Sequence, residues 1–138
     1  GKTDRTALRN IKKMWETAGS EVVEMDSERH DLILAAISHL PHMIAYSMVN
    51  TIADIEEKNE DILKYTAGGF KDFTRIASSS PEMWRDVCMT NKSAIVDMLE
   101  LFEKRVSSLK ALIEAGDAKG LEEDFTRAKG IRDSLKRQ

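Results

Sequence analysis

With 138 residues, 24 acidic against 21 basic side chains and a formal net charge of −3, the chain is sized for one soluble domain with a core of its own. It carries no basic excess and no Lys/Arg-rich arm to neutralise phosphates, which argues against nucleic acid as a partner. The single cysteine, Cys88, excludes an internal disulfide. It sits among apolar positions of a helix-patterned run, which suits a reducing cytoplasm and a core role better than a nucleophile.

At the amino end, Leu8, Ile11, Met14 and Trp15 recur at helical spacing and Gly19 stops the run. The segment is charged and amphipathic, with no apolar h-region of a signal peptide. Glu21–Met25 (EVVEM) reads as a short strand, and a lone strand leaves its backbone groups without a ladder. Helix and strand over residues 1–26 therefore read as the last unit of an α/β domain whose earlier part lies outside this chain. The competing expectation is a frayed extension or a fully helical arm.

From residue 27 onward the pattern is helical, with Asp26 or Ser27 as N-cap and Glu28 in the first turn. Leu32 to Val49 contains no Asp, Glu, Lys or Arg and is about the minimum length for a membrane span. Two histidines, a proline and two serines lie inside it and nothing basic or aromatic anchors its ends, so it reads as the central helix of a globular bundle and not as a span. Pro41 should kink that helix and free the Ile37 carbonyl. Ser38, His42 and Tyr46 then share a face, each four residues from the next.

His42 can serve a polar ligand at the kink, or it can be a buried histidine satisfied by the backbone or a serine. Metal is the weaker reading, since His39 and His42 are three apart and no acidic residue between them completes a ligand set. After the charged run Glu56–Asp61 and the short piece Asp61–Ala67, Gly68 and Gly69 open the segment GGFKDFTRIA. Paired glycines permit positive φ and close ligand approach, and Arg75 presents a planar fork matched to a carboxylate. Alternatively the glycines are a plain helix C-cap, and Lys71, Asp72 and Arg75 an ordinary surface ion network on a helix from Phe70 to Ser78.

Ser80 followed by Pro81 marks a helix start. Trp84, Val87, Cys88, Asn91, Ala94, Ile95, Met98, Phe102, Val106, Leu109 and Ile113 then keep three- and four-residue spacing, a seam of roughly eight turns. Asn91 is its polar intruder, suited to fixing register, touching a ligand or making a local hydrogen bond. Gly116 ends the seam, and Asp117 can cap a last helix presenting Leu121, Phe125, Ala128 and Ile131, with a basic end, RDSLKRQ. A long apolar stripe must be covered, and a symmetric dimer covers it economically.

Taken in order, W..AG.EVVEM, HD.ILA.ISHLPH, GGFKDFTRIA and SPEMWRD with an asparagine five residues beyond Asp86 closely resemble the prephenate dehydrogenase family, which includes arogenate and cyclohexadienyl dehydrogenases. The resemblance covers nearly the whole chain. It implies a mainly α fold: the helical dimerisation domain of a 6-phosphogluconate-dehydrogenase-like dehydrogenase over residues 27–138, preceded by the tail of a Rossmann domain over 1–26. It further implies a cytoplasmic homodimer that oxidatively decarboxylates prephenate or arogenate with NAD or NADP as hydride acceptor and without metal. By the family pattern Arg75 would bind a substrate carboxylate, Ser38 and His42 would line the pocket, Gly68 and Gly69 would border the substrate, and Trp84 would help close it. Lys71 and Asp72 would form a gating ion network, and tyrosine would be a feedback ligand. The family's catalytic histidine belongs to the nucleotide domain, and none of His30, His39 or His42 matches it; the chain also has no G-x-G-x-x-G turn. The chain by itself is therefore expected to be inactive. The alternative is a non-catalytic helical interaction module, which accounts for the seam but not for Arg75.

Overall fold

A computed structural model describes residues 3–56 and 62–135. The charged stretch 57–61 and the last residues of the basic end, 136–138, lie outside the described residues. The chain divides into two compact units, Gly1–Asp31 and Leu32–Gln138.

In the first unit, helix α1 spans Arg5–Thr17. The Asp4 carboxylate caps it by accepting from Thr6 N–H at 2.8 Å. Its end is a Schellman turn: Gly19, at φ 87°, donates to the Glu16 carbonyl and Ser20 donates to that of Trp15. Leu8, Ile11, Met14 and Trp15 are all exposed. The strand expected at Glu21–Met25 is not formed, and the described residues contain no strand at all. A strand exists through its ladder, and no described residue supplies one to this segment. What ties the segment to α1 is an ion pair, Lys12 Nζ to Glu24 Oε1 at 3.0 Å.

The Glu24 carboxylate, by hydrogen bond and by charge, raises the Lys12 ammonium above its ordinary 10.5. A raised lysine pKa stabilises the folded unit fully below the ordinary value, and the contribution disappears as pH rises through the elevated one. Glu24→Gln should lower the Lys12 titration, followed by NMR at the side-chain amine, toward its ordinary value. An unchanged Lys12 midpoint in that variant would exclude the pair as the cause.

Helix α2, Ser27–Leu34, begins where Asp26 accepts from Arg29 N–H at 2.8 Å. The Leu32–Gln138 unit continues through a π-helical segment, Ala35–His39, into α3, Leu40–Glu56. The proline's disturbance is thus absorbed as a π segment, in which Leu40 N–H reaches back to the Ala35 carbonyl. Widening the turn just ahead of Pro41 relieves the crowding that its ring would cause in a regular helix. Ser27–Glu56 is long and apolar enough to cross a bilayer, by length and composition alone.

A 3₁₀ turn, Ile62–Tyr65, leads to α4, Gly68–Thr74, and a second 3₁₀ turn, Arg75–Ser78. Helix α5, Pro81–Thr90, starts as expected: Ser80 Oγ accepts from Met83 N–H at 3.3 Å and Pro81 takes the first helical position. The single long helix expected after Pro81 is two helices, because Asn91, at φ −110° and ψ 38°, separates α5 from α6, Lys92–Glu114. Gly116, at φ 65°, closes α6 in a second Schellman turn, and Asp117 caps α7, Ala118–Ser134, through the Gly120 N–H at 2.9 Å.

Helix α3 packs on α4, on both 3₁₀ turns and on α6, while α6 runs against the π segment and pairs with α7. Tyr46 Oη donates to the Ser79 carbonyl at 2.7 Å, and half-buried Cys88 packs its Sγ 3.4 Å from Met43 Sδ. An Arg105–Asp124 ion pair clasps α6 to α7. Among the described residues the buried apolar set is small, namely Ala35, Ala45, Trp84 and Ile95. Leu101, Val106 and Ile113 on α6, with Phe125 and Ile131 on α7, stay exposed. The outer stripe of the seam is therefore left uncovered by this chain.

Candidate functional site

The π segment and the start of α3 put two imidazoles on Trp84, which α5 carries. The His42 ring stacks on the indole with centroids 3.8 Å apart and planes 26° from parallel. His39 approaches edge-on, at 5.9 Å and 78°. Trp84 is 7% exposed and His39 8%. Offset stacking and edge-to-face contacts are the preferred arrangements of aromatic rings, each contributing about 1 kcal/mol beyond burial.

His42 Nδ1 lies 2.8 Å from the Ser38 carbonyl oxygen. A carbonyl can only accept, so Nδ1 carries the proton, and neutral His42 keeps Nε2 as an acceptor. The serine and histidine expected to share a face are thus joined, through the Ser38 backbone. The acceptor taken up by a side chain is that of Ser38, where the sequence pointed to Ile37. Trp84 Nε1 is buried with no hydrogen-bond partner among the described residues, an uncommon state for an indole donor.

His39 and Asn91 were the residues sequence reasoning undervalued. Asn91 Nδ2 lies 3.3 Å from His39 Nδ1, across 52 positions of sequence. Its place in the apolar seam was the available signal; its partner was not visible. His39 works as a buried packing and hydrogen-bonding residue, and no group of three or more His, Cys, Asp or Glu able to hold a metal occurs among the described residues.

Gly68 and Gly69 do not use positive φ and do not end a helix; they are the first residues of α4, with Ala67 at the N-cap position and no side-chain cap hydrogen bond. A Cβ added to either would meet nothing within 4 Å, so packing inside this chain gives no reason for glycine there. Lys71, Asp72 and Arg75 are exposed on α4 and the following turn. Among the described residues none of the three forms an ion pair. The chain thus builds the Ser38–His42–Trp84 group as a unit, and among the described residues no hydrogen bond or ring contact joins Arg75 to it. No strand–glycine–helix turn of the dinucleotide-binding kind is present among the described residues.

The family model described as "Prephenate dehydrogenase, dimerization domain" matches residues 26–127. The chain is 38% identical over 134 residues to prephenate dehydrogenase of Bacillus subtilis, covering 97% of this chain and 36% of that protein. It is 36% identical over 135 residues to cyclohexadienyl dehydrogenase of Zymomonas mobilis, covering 97% of this chain and 46% of that one. Among solved structures, prephenate dehydrogenase from A. aeolicus in complex with hydroxyphenyl propionate and NAD+ superposes with a TM-score of 0.91 at 40% identity, over 97% of this chain and 47% of the other. Synechocystis arogenate dehydrogenase superposes with a TM-score of 0.83 at 27% identity, over 96% of this chain and 49% of the other. Fold and comparisons together define an all-helical dimerization domain. The chain belongs to the prephenate dehydrogenase dimerization-domain family. It spans less than half the length of these relatives.

Proposed function

We propose that this chain forms the substrate-pocket wall and dimer interface of a prephenate dehydrogenase of tyrosine biosynthesis, active only within a longer parent that supplies the nucleotide domain. The observation that carries the reading is the tautomer-locked His42 stacked on Trp84 beside the π segment, in a chain of this family. Prephenate gives up a hydride from its hydroxyl-bearing carbon and loses carbon dioxide; the hydroxyl proton passes to a base, and the ring oxygen regains a proton as the aromatic phenol forms. NAD or NADP, bound by the parent's nucleotide domain, would supply the hydride acceptor. Because aromatisation drives the reaction, the protein's task is orientation and proton uptake.

This chain's residues bind and orient. Arg75, exposed and without an ion-pair partner among the described residues, is available to take a substrate carboxylate in bidentate fashion. His42 and Ser38 line the pocket with Trp84 behind them, and the open Gly68–Gly69 backbone lets substrate approach α4 closely. Lys71 and Asp72, equally unpaired among the described residues, are placed to form the gate once a ligand or second copy arrives. Exposed Leu101, Val106, Ile113, Phe125 and Ile131 are the face a second copy covers, making a homodimer. Tyrosine, which shares the product's ring and carboxylate, would compete for the same pocket; if it leaves the apparent affinity for prephenate unchanged, it is no feedback ligand.

The parent protein is offered prephenate or arogenate with NAD or NADP in the four pairings. Nicotinamide reduction is expected in at least one pairing from the parent and in none from this chain alone. Turnover by the isolated chain would contradict the division of labour. An inactive, folded parent that does not bind prephenate would favour a non-catalytic interaction module.

A further inference from the structure

Asn91 ends α5 and precedes α6, a position where a side-chain amide usually bonds its own helix terminus. Its side chain makes no cap hydrogen bond to α6; its Nδ2 reaches His39 Nδ1 at 3.3 Å. We infer that Asn91 and His39 are positioning residues: Asn91 fixes the His39 ring, His39 fixes the edge of Trp84, and Trp84 sets the tilt of His42 in the proposed substrate pocket. This rests on the reading of His42 and Trp84 as pocket wall.

Two features of the indole support it. Trp84 Nε1 has no hydrogen-bond partner among the described residues, so no such bond to Nε1 sets the orientation of the ring. What holds it is His39 at its edge and His42 on its face. His42 is held at Nδ1 by the Ser38 carbonyl and can still tilt about that bond, and the stacked indole restricts the tilt. An amide at the α5–α6 junction is thereby connected to the ring that faces substrate, although it does not touch substrate itself.

The test uses the full-length parent and steady-state kinetics. Asn91→Leu keeps a side chain of four heavy atoms branched at Cγ and removes the hydrogen bond; His39→Phe keeps an aromatic edge on Trp84 and removes the acceptor. A wall that binds ground and transition states alike loses uniform binding, so each variant should raise KM for prephenate about tenfold, the worth of one hydrogen bond, with kcat within about threefold. A space-filling role would lower stability without this split between KM and kcat. Combined with Trp84→Phe, Asn91→Leu should add less than its single effect, because both act on one ring. A KM unchanged in folded Asn91→Leu, or full additivity, overturns the inference, and so does failure of both single variants to fold, which would make the pair plain core. Arg75→Ala serves as the separate control: if it too leaves kcat/KM unchanged, the pocket reading itself has failed, whereas a loss there beside a silent Asn91→Leu removes only the positioning pair.

Discussion

Arg75→Ala in the full-length parent should lower kcat/KM for prephenate about a hundredfold or more, on the order of 3 kcal/mol of lost transition-state binding, as expected when a charge-paired contact to a desolvated carboxylate is truncated. The dimer should remain intact and the melting temperature unchanged. Arg75 is exposed and has no ion-pair partner among the described residues, so its removal orphans nothing in the fold. Arg75→Lys should recover only part of the loss, because an ammonium is a point charge and cannot reproduce a two-pronged contact. Kinetics with sedimentation on the same samples separates the outcomes. An Arg75→Ala parent of normal catalytic efficiency would remove the carboxylate role and leave the arginine as a solvated side chain.

Trp84→Ala should be the most destabilising single change in the Leu32–Gln138 unit, at about 3–5 kcal/mol for loss of a buried tryptophan. The estimate is steep because the buried apolar set is so small: apart from Ile95, the described residues bury only two alanines with it. Three elements meet at the indole, through His39, through His42 and through α5 itself, and alanine would leave a void that these helices cannot easily close. Trp84→Phe should cost much less. It keeps most of the ring and removes an N–H that has no partner among the described residues, and deleting an unsatisfied donor forfeits no hydrogen bond. Denaturant midpoints at fixed protein concentration measure both, the concentration being held because dimerisation adds to apparent stability. A Trp84→Ala variant within 1 kcal/mol of the parent would show that the indole is not what holds α3 to α5.

Leu101, Val106 and Ile113 are exposed, while Trp84 is buried.

What the sequence determined by itself was local. Helix starts at Asp26, Ser80 and Asp117 and stops at Gly19 and Gly116 were legible, because a cap or a left-handed glycine acts on backbone groups within a few residues. The shared face of Ser38, His42 and Tyr46 followed from helical periodicity, and the order of motifs was enough to bring the family into view. Tertiary structure decided the rest. The strand at Glu21–Met25 depended on a ladder that no described residue provides. Asn91 interrupts the seam, and its bond to His39 spans 52 positions, a pairing that no local spacing encodes. Gly68 and Gly69 read as a ligand-bordering opening or a helix C-cap and are instead a helix start, since glycine permits many conformations and specifies none. Caps and periodicity are short-range and can be read from neighbours; ring stacking, ladder formation and long-range hydrogen bonds depend on which segments the fold brings together.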